Sequence, residues 1–250
     1  MPVVRALERG VALLKAFTAA RPRQSLTELA RAAGLDAGTT RRLLHTLQLG
    51  GLVEHDPDAG AYALAVGVLE LASVVDRGRD LRETVAPFLS TIAEEAGATS
   101  FLWTYHDGMA LCVDRVRAQA PHVDVSWFSV GARTALNCGG GPRALLAFLS
   151  EEERRVALSR PLPARTPASQ TDPAALAREA EAIRRDGYAL AIDDFFIGIT
   201  GLGAPLMNRD GRLVGALSIS GLTSLLVEDG RPRHLAILTR IAADIRPRLY

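Results

Sequence analysis

The sequence predicts an α+β chain: a winged helix-turn-helix at the amino end, a connecting helix, and a larger body in which helices pack on an antiparallel sheet. Three observations predict it. Two short amphipathic helical patterns joined at Gly34 are followed directly by a hairpin pattern. An apolar helical stripe too wide for one face spans Leu64 to Arg79. From residue 81 onward, helical and alternating patterns succeed one another between turn signals. The expected divisions are residues 1–63, 64–80 and 81–250.

Leu7, Val11 and Leu14, with Phe17 following, give the first helix, which stops near Arg21-Pro22. Ser25-Leu26-Thr27-Glu28 reads as a capping box, the serine accepting a free N–H and the glutamate reaching back. The helix it opens turns Leu26, Leu29, Ala30 and Ala33 inward, and Gly34 closes it where a left-handed residue is needed. Ala30 is small where two helices cross. Asp36 is placed to cap the next helix, whose core side is Leu43, Leu44 and Leu47 and which Gly50-Gly51 ends.

Gly38, Arg41, Arg42 and His45 share the outer face of that helix. Arginine suits bidentate contact with guanine O6 and N7. Thr39 and Thr40 near the helix start can donate to phosphate, and Ser25 and Thr27 at the start of the preceding helix complete the expected DNA-contacting set. Thr40 has a second reading, half-buried against the first helix. A plain helical hairpin with a solvated Arg-Arg face is the bland alternative. Against it, Leu52–His55 reads as a strand, Asp56–Gly60 as a turn and Tyr62–Leu64 as a returning strand.

Charge follows the same division. Residues 1–50 hold eight basic and three acidic groups, a net +5; the other 200 hold 21 and 25, a net −4. A basic end on a slightly acidic body suits contact with a polyanion at that end alone. The overall +1 argues against a wholly basic coat protein and against an acidic solvating chain. No apolar run approaches the roughly 18–20 residues of a membrane span, and Met1–Arg5 carries no secretory pattern. Two separated cysteines, Cys112 and Cys138, exclude a disulfide scaffold and fit a cytoplasmic location.

In the connector, Val68, Leu71, Ala72 and Val75 lie on one face and Val66, Leu69 and Val74 elsewhere, so the helix needs burial beyond its own domain. An ordinary core helix is the alternative. In the body, Leu81, Val85, Phe88, Leu89 and Ile92 form a helix face ending at Gly97. Thr99–Tyr105, Ala110–Val116 and Val123–Trp127 read as strands. Thr134–Pro142 reads as a glycine-rich loop before a helix at Arg143–Leu149. Helices follow at Glu151–Leu158, capped by Ser150, and from Asp172-Pro173 to Gly187. Strands near Leu202–Asn208 and Leu213–Ser220 and a helix from about Pro232 complete the chain. The order does not suit a doubly wound nucleotide fold.

Residues 3–69 resemble the DNA-binding domain of IclR-type bacterial transcription regulators. The matching stretches are Ser25–Leu35, Thr39–Leu47, Gly51-Leu52-Val53 and Gly60–Leu64. The body resembles the effector-binding domain of the same regulators, through Gly187-Tyr188-Ala189 to Gly198, Ala204-Pro205-Leu206, and Gly211–Gly221. The resemblance implies a GAF-like body, a connector helix that pairs chains, and a homodimer or a tetramer built as a dimer of dimers. It further implies double-stranded operator DNA and a small-molecule effector as partners, with no cofactor, metal or membrane. Ala61 and Ala63 stand where the family carries a basic residue in or beside the wing, which leaves most duplex contact to the second helix.

The same resemblance places a small ligand against the sheet, between the loop after the Gly-Tyr strand and the Ser-x-Ser strand. It assigns Ser218, Ser220, Asp194 (in place of glutamate) and Gly201 (in place of cysteine) to that site; Ala191 and Asn208 replace aspartates. Asn137-Cys138-Gly139-Gly140-Gly141-Pro142 opens a helix, whose free N–H groups and dipole suit a carboxylate or phosphate. The expected effector is an organic acid held there, with Trp103 or Trp127 stacking and Ser218 and Ser220 orienting it from one sheet face. The glycines otherwise serve only a tight loop.

Enzyme readings have little support. Cys138 has no local spacing to His106 or His122 that makes a nucleophile and base. Asp193-Asp194 lacks a third metal ligand at useful spacing, and the sole lysine, Lys15, rules out a phosphate-binding loop lysine in the glycine run. Three classes stand: a ligand-responsive regulator, a constitutive DNA-binding dimer with a degenerate pocket, and a metabolic enzyme. Salt-dependent duplex affinity, its response to a metabolite, and turnover separate them.

Overall fold

Capping chemistry sets the helix ends of the amino-terminal segment. The structure is a computed structural model; it describes residues 3–18, 20–74, 76–119 and 128–249, and over 76–80 the backbone alone. Two compact units divide it, Met1–Asp76 and Arg77–Tyr250.

The first unit runs α1 (Arg5–Ala16), β1 (Arg23–Ser25), α2 (Leu26–Ala33), α3 (Ala37–Leu49), β2 (Val53–Asp56), β3 (Ala61–Leu64) and α4 (Gly67–Ser73). The Ser25–Glu28 capping box is present, with Ser25 N–H donating to the Glu28 carboxylate at 2.8 Å. Gly34 ends α2 at φ +64°, and Asp36 accepts Thr39 N–H at 2.8 Å to start α3. Leu13, Leu29, Leu44 and Val53 form the buried centre. β1 adds a third strand to the wing, giving the order β1-β3-β2. Buried Gln24 fixes that strand, its amide donating to the Ala16 and Arg21 carbonyls at 2.9 and 3.2 Å.

These caps carry a pH dependence. Hydrogen bonds from Ser25 hold the Glu28 carboxyl below its ordinary 4.5, and those from Thr39 hold Asp36 below its ordinary 3.8. A depressed folded value contributes stability above the unfolded pKa and loses it as pH falls through the folded one. The first unit should therefore melt at a steady temperature above the unfolded values and progressively lower on acidification below them. Circular dichroism melts should show that acid slope flattened in Ser25→Ala and Asp36→Ala.

The second unit runs α5 (Asp76–Ala96), β4 (Thr99–His106), β5 (Met109–Val116), β6 (Arg133–Thr134), α6 (Gly140–Phe148), α7 (Glu151–Leu158), α8 (Pro173–Asp186), β7 (Ala189–Ile192), β8 (Ile199–Met207) and β9 (Leu213–Leu222). It closes with α9 (Thr223–Leu226), a small hairpin of β10 (Val227–Glu228) and β11 (Arg231–Pro232), and α10 (Leu235–Ile245). Six antiparallel strands lie in the order β6-β5-β4-β9-β8-β7. Alternation along the strands sends Phe101, Trp103 and Ala216 to a core shared with α6 and α8. Leu102, Leu217 and Ile219 go to the opposite core, with α5 and α10.

Several expectations need correction. The connector is not one helix over Leu64–Arg79: α4 ends at Ser73, Val74 lies outside it, and α5 starts at Asp76 and continues through the face expected after residue 81. The helix after the glycine run begins at Gly140, three residues early, so the run is half helix. The strand expected at Val123–Trp127, with Trp127 itself, lies outside the described residues.

Candidate nucleic-acid interface and effector site

α3 presents Arg41, Arg42 and His45 to solvent, with Thr27 of α2 also exposed. Among the described residues no ion pair holds either arginine. Arg23 is committed differently, to Asp56 at 3.0 Å, and Asp56 also accepts the Asp58 and Ala59 N–H groups to shape the acidic wing turn. Ser25 is half-buried and its hydroxyl belongs to the cap. Thr39 is half-buried and its N–H goes to Asp36. Thr40 corrects the phosphate-donor expectation: it is fully buried and its hydroxyl donates to the Asp36 carbonyl at 2.9 Å, which makes it a packing residue.

In the second unit, most of the expected effector residues meet where the start of α6 lies on the sheet. The contact is backbone on backbone. A Cβ on Gly140 would come within 2.6 Å of the Gly201 and Leu202 carbonyl carbons, and one on Gly203 would strike the Gly140 carbonyl. A Cβ on Gly141 would strike the Trp103 indole. Gly140 and Gly201 are thus the seat of the helix. Trp103 is buried, donates its indole N–H to Ser218 Oγ at 2.9 Å, and meets Phe128 edge-on at 4.9 Å. Ser220 is half-buried on the same face.

One donor of the glycine run expected to hold an acid is engaged within the chain. Asp194 is buried, and both its oxygens accept the Gly139 N–H, at 3.0 and 3.1 Å, with Arg143 at 3.8 Å. The chain's own carboxylate occupies the Gly139 donor at the start of α6. Burial pushes its carboxyl above the ordinary range, against the opposing pull of Gly139 and Arg143. Thr166 and Ser169 hold the Asp193 and Asp194 carbonyls, each at 2.6 Å, while Asp193 accepts the Gly198 N–H at 2.8 Å to close its loop. Asn137 donates to the Pro163 and Gln170 carbonyls, and its Oδ1 is buried without a partner. Asn208 caps the β8–β9 turn, its Oδ1 accepting the Asp210 and Arg212 N–H groups.

Burial pushes the Cys138 thiol up to about 11 and that of Cys112 to about 12, so both stay protonated near neutrality and neither is an activated nucleophile. No cluster of three or more His, Cys, Asp or Glu suited to a metal occurs among the described residues, and no helix there is long and apolar enough to cross a membrane. Residues not anticipated are Thr99, Phe101, Phe128 and Phe195 on the same side of the sheet. Period two from Trp103 could have found the first two; Phe195 is placed by a loop that leaves no periodic signal.

The profile for the IclR helix-turn-helix domain matches residues 6–57, and that for the bacterial transcriptional regulator IclR C-terminal domain matches residues 73–246. The transcriptional repressor IclR of Escherichia coli is 30% identical over 245 residues, covering 97% of this chain and 89% of the relative. An IclR homolog from Microbacterium hydrocarbonoxydans, solved in complex with 4-hydroxybenzoate, is 26% identical with a TM-score of 0.84 and 98% of each chain covered. An IclR transcriptional regulator from Alicyclobacillus acidocaldarius has a TM-score of 0.83 at 25% identity, again over 98% of each chain. With the helix-turn-helix, the antiparallel-sheet body and these matches together, the chain belongs to the IclR family of bacterial transcriptional regulators, which are not enzymes.

Proposed function

We propose that the chain binds a specific operator duplex in the cytoplasm through α3, as a homodimer or a dimer of dimers, and that a small effector in the second unit alters that affinity. The carrying observation is the solvent-facing pair Arg41 and Arg42, free of ion pairs among the described residues, on α3, the second helix of the helix-turn-helix. Pairing is supported by α4, which buries no residue in the single chain and leaves Leu69 69%, Leu71 58% and Val74 just beyond it 74% exposed. Apolar surface of that kind asks for a partner, and a two-fold pair sets two reading helices against a palindrome. Effector binding is supported by the ligand-bound relative.

Footprinting on the intergenic DNA upstream of the gene, with and without candidate metabolites, tests this. Protection that changes with one metabolite supports it; absence of any footprint rejects it. A footprint indifferent to every metabolite favours the constitutive dimer, a reading that the tight Gly140–Gly201 seat and the filled Gly139 donor make specific.

A further inference from the structure

The first unit, Met1–Asp76, carries eight basic and eight acidic groups. Residues 51–76 add five acids and no base to the basic amino end, and three of the five, Glu54, Asp56 and Asp58, belong to the wing. Non-specific duplex binding comes almost wholly from attraction to phosphate. A unit without net charge lacks that general pull, so the placement of its charges decides what it holds.

Strand register fixes where the acids lie. Asp56 stands opposite Ala61, and Ala61 opposite Ser25, the N-cap of α2. Two strand spacings put the Asp56 and Ser25 backbones about 10 Å apart. α2 is the first helix of the helix-turn-helix, the one that crosses the phosphate backbone when the second lies in the major groove. The screening length at 0.1 M salt is also about 10 Å, so a phosphate at the start of α2 feels the wing. In the next row of the same sheet face, Glu54 stands opposite Ala63 and Ala63 opposite Arg23. Arg23 is spent on Asp56 at 3.0 Å, and the two alanines supply no further cation. Glu54 and Asp58 are exposed, and no ion pair holds either among the described residues. The helix starts do not compensate, because the Ser25 and Thr39 N–H groups already donate to the carboxylates of Glu28 and Asp36.

We infer that Glu54 and Asp58 are specificity-determining residues that act by repulsion: the wing opposes the duplex instead of gripping it, and lowers affinity for every sequence alike, so that only a site satisfying Arg41 and Arg42 is held. This rests on the reading of α3 above and adds the sign of the wing's contribution. The test compares the full chain with its Glu54→Gln, Asp58→Asn double variant. Each is titrated by fluorescence anisotropy into the footprinted operator and into a random-sequence duplex of equal length, from about 50 to 200 mM salt. Both substitutions keep the side chain's size and break no ion pair, so the melting temperature should hold. At low salt the variant should bind both duplexes about three- to tenfold more tightly, with a steeper fall as salt rises and little change in the ratio between them. Asp58→Asn alone should show part of that gain. Arg41→Ala should instead collapse the ratio. Operator affinity unchanged or weakened in the double variant, or a gain indifferent to salt, would overturn the inference. A parent chain that does not prefer the operator to the random duplex would strike the reading of α3, whereas a salt-sensitive gain on both duplexes would still support the wing's repulsion.

Discussion

Arg41→Ala combined with Arg42→Ala is expected to abolish specific operator binding while leaving the first unit folded. Each bidentate arginine–guanine contact discriminates by about 1–3 kcal/mol, so the pair together corresponds to a loss of about 30-fold to above 10,000-fold. Neither side chain touches the Leu13–Leu29–Leu44–Val53 centre, and both face solvent, so the thermal transition should move little. Fluorescence anisotropy with a labelled operator, beside a melt of the same variant, checks both halves. An unaltered affinity in the double variant would contradict the assignment of α3.

The second large effect is structural. Gly203→Ala places a methyl against the Gly140 carbonyl and within 2.7 Å of Gly141 N, backbone atoms that cannot swing aside. Overpacking typically costs about 1–3 kcal/mol, and rigid neighbours put this case at or beyond the upper end. For a unit of this size, a loss of about 3 kcal/mol lowers the melting temperature by roughly 6–12 °C. Calorimetry should show the transition of Arg77–Tyr250 falling by that amount. A shift confined to a degree or two would mean that α6 does not rest on β8 as described.

The same glycine contact shows where sequence reasoning stops. The ends of α2 and α3 were legible because Ser25, Glu28, Gly34 and Asp36 act within four residues of their targets. α7 and α8 were legible for the same reason, through Ser150 and Asp172. β1 was not: three residues after Arg21-Pro22 become a strand only by pairing with β3, about forty residues on. The start of α6 reads as loop because glycine is a poor helix former, yet glycine is required where helix and sheet backbones touch. Asp194 was legible as a polar group of the site, but not as the acceptor of Gly139, a contact 55 residues distant in sequence. Thr40 lay in the stretch read for DNA contact, and only its orientation toward the Asp36 carbonyl separates it from its neighbours Thr39 and Arg41.

Guanine N7 methylation protection on the operator tests the reading of DNA by α3 most directly, since arginine contact to O6 and N7 shields that atom in the major groove. The expected result is two clusters of protected guanines about 10 base pairs apart, or a multiple of that, both lost with the Arg41→Ala, Arg42→Ala variant. Guanines that remain reactive on the bound operator, or protection that persists without the two arginines, would contradict it.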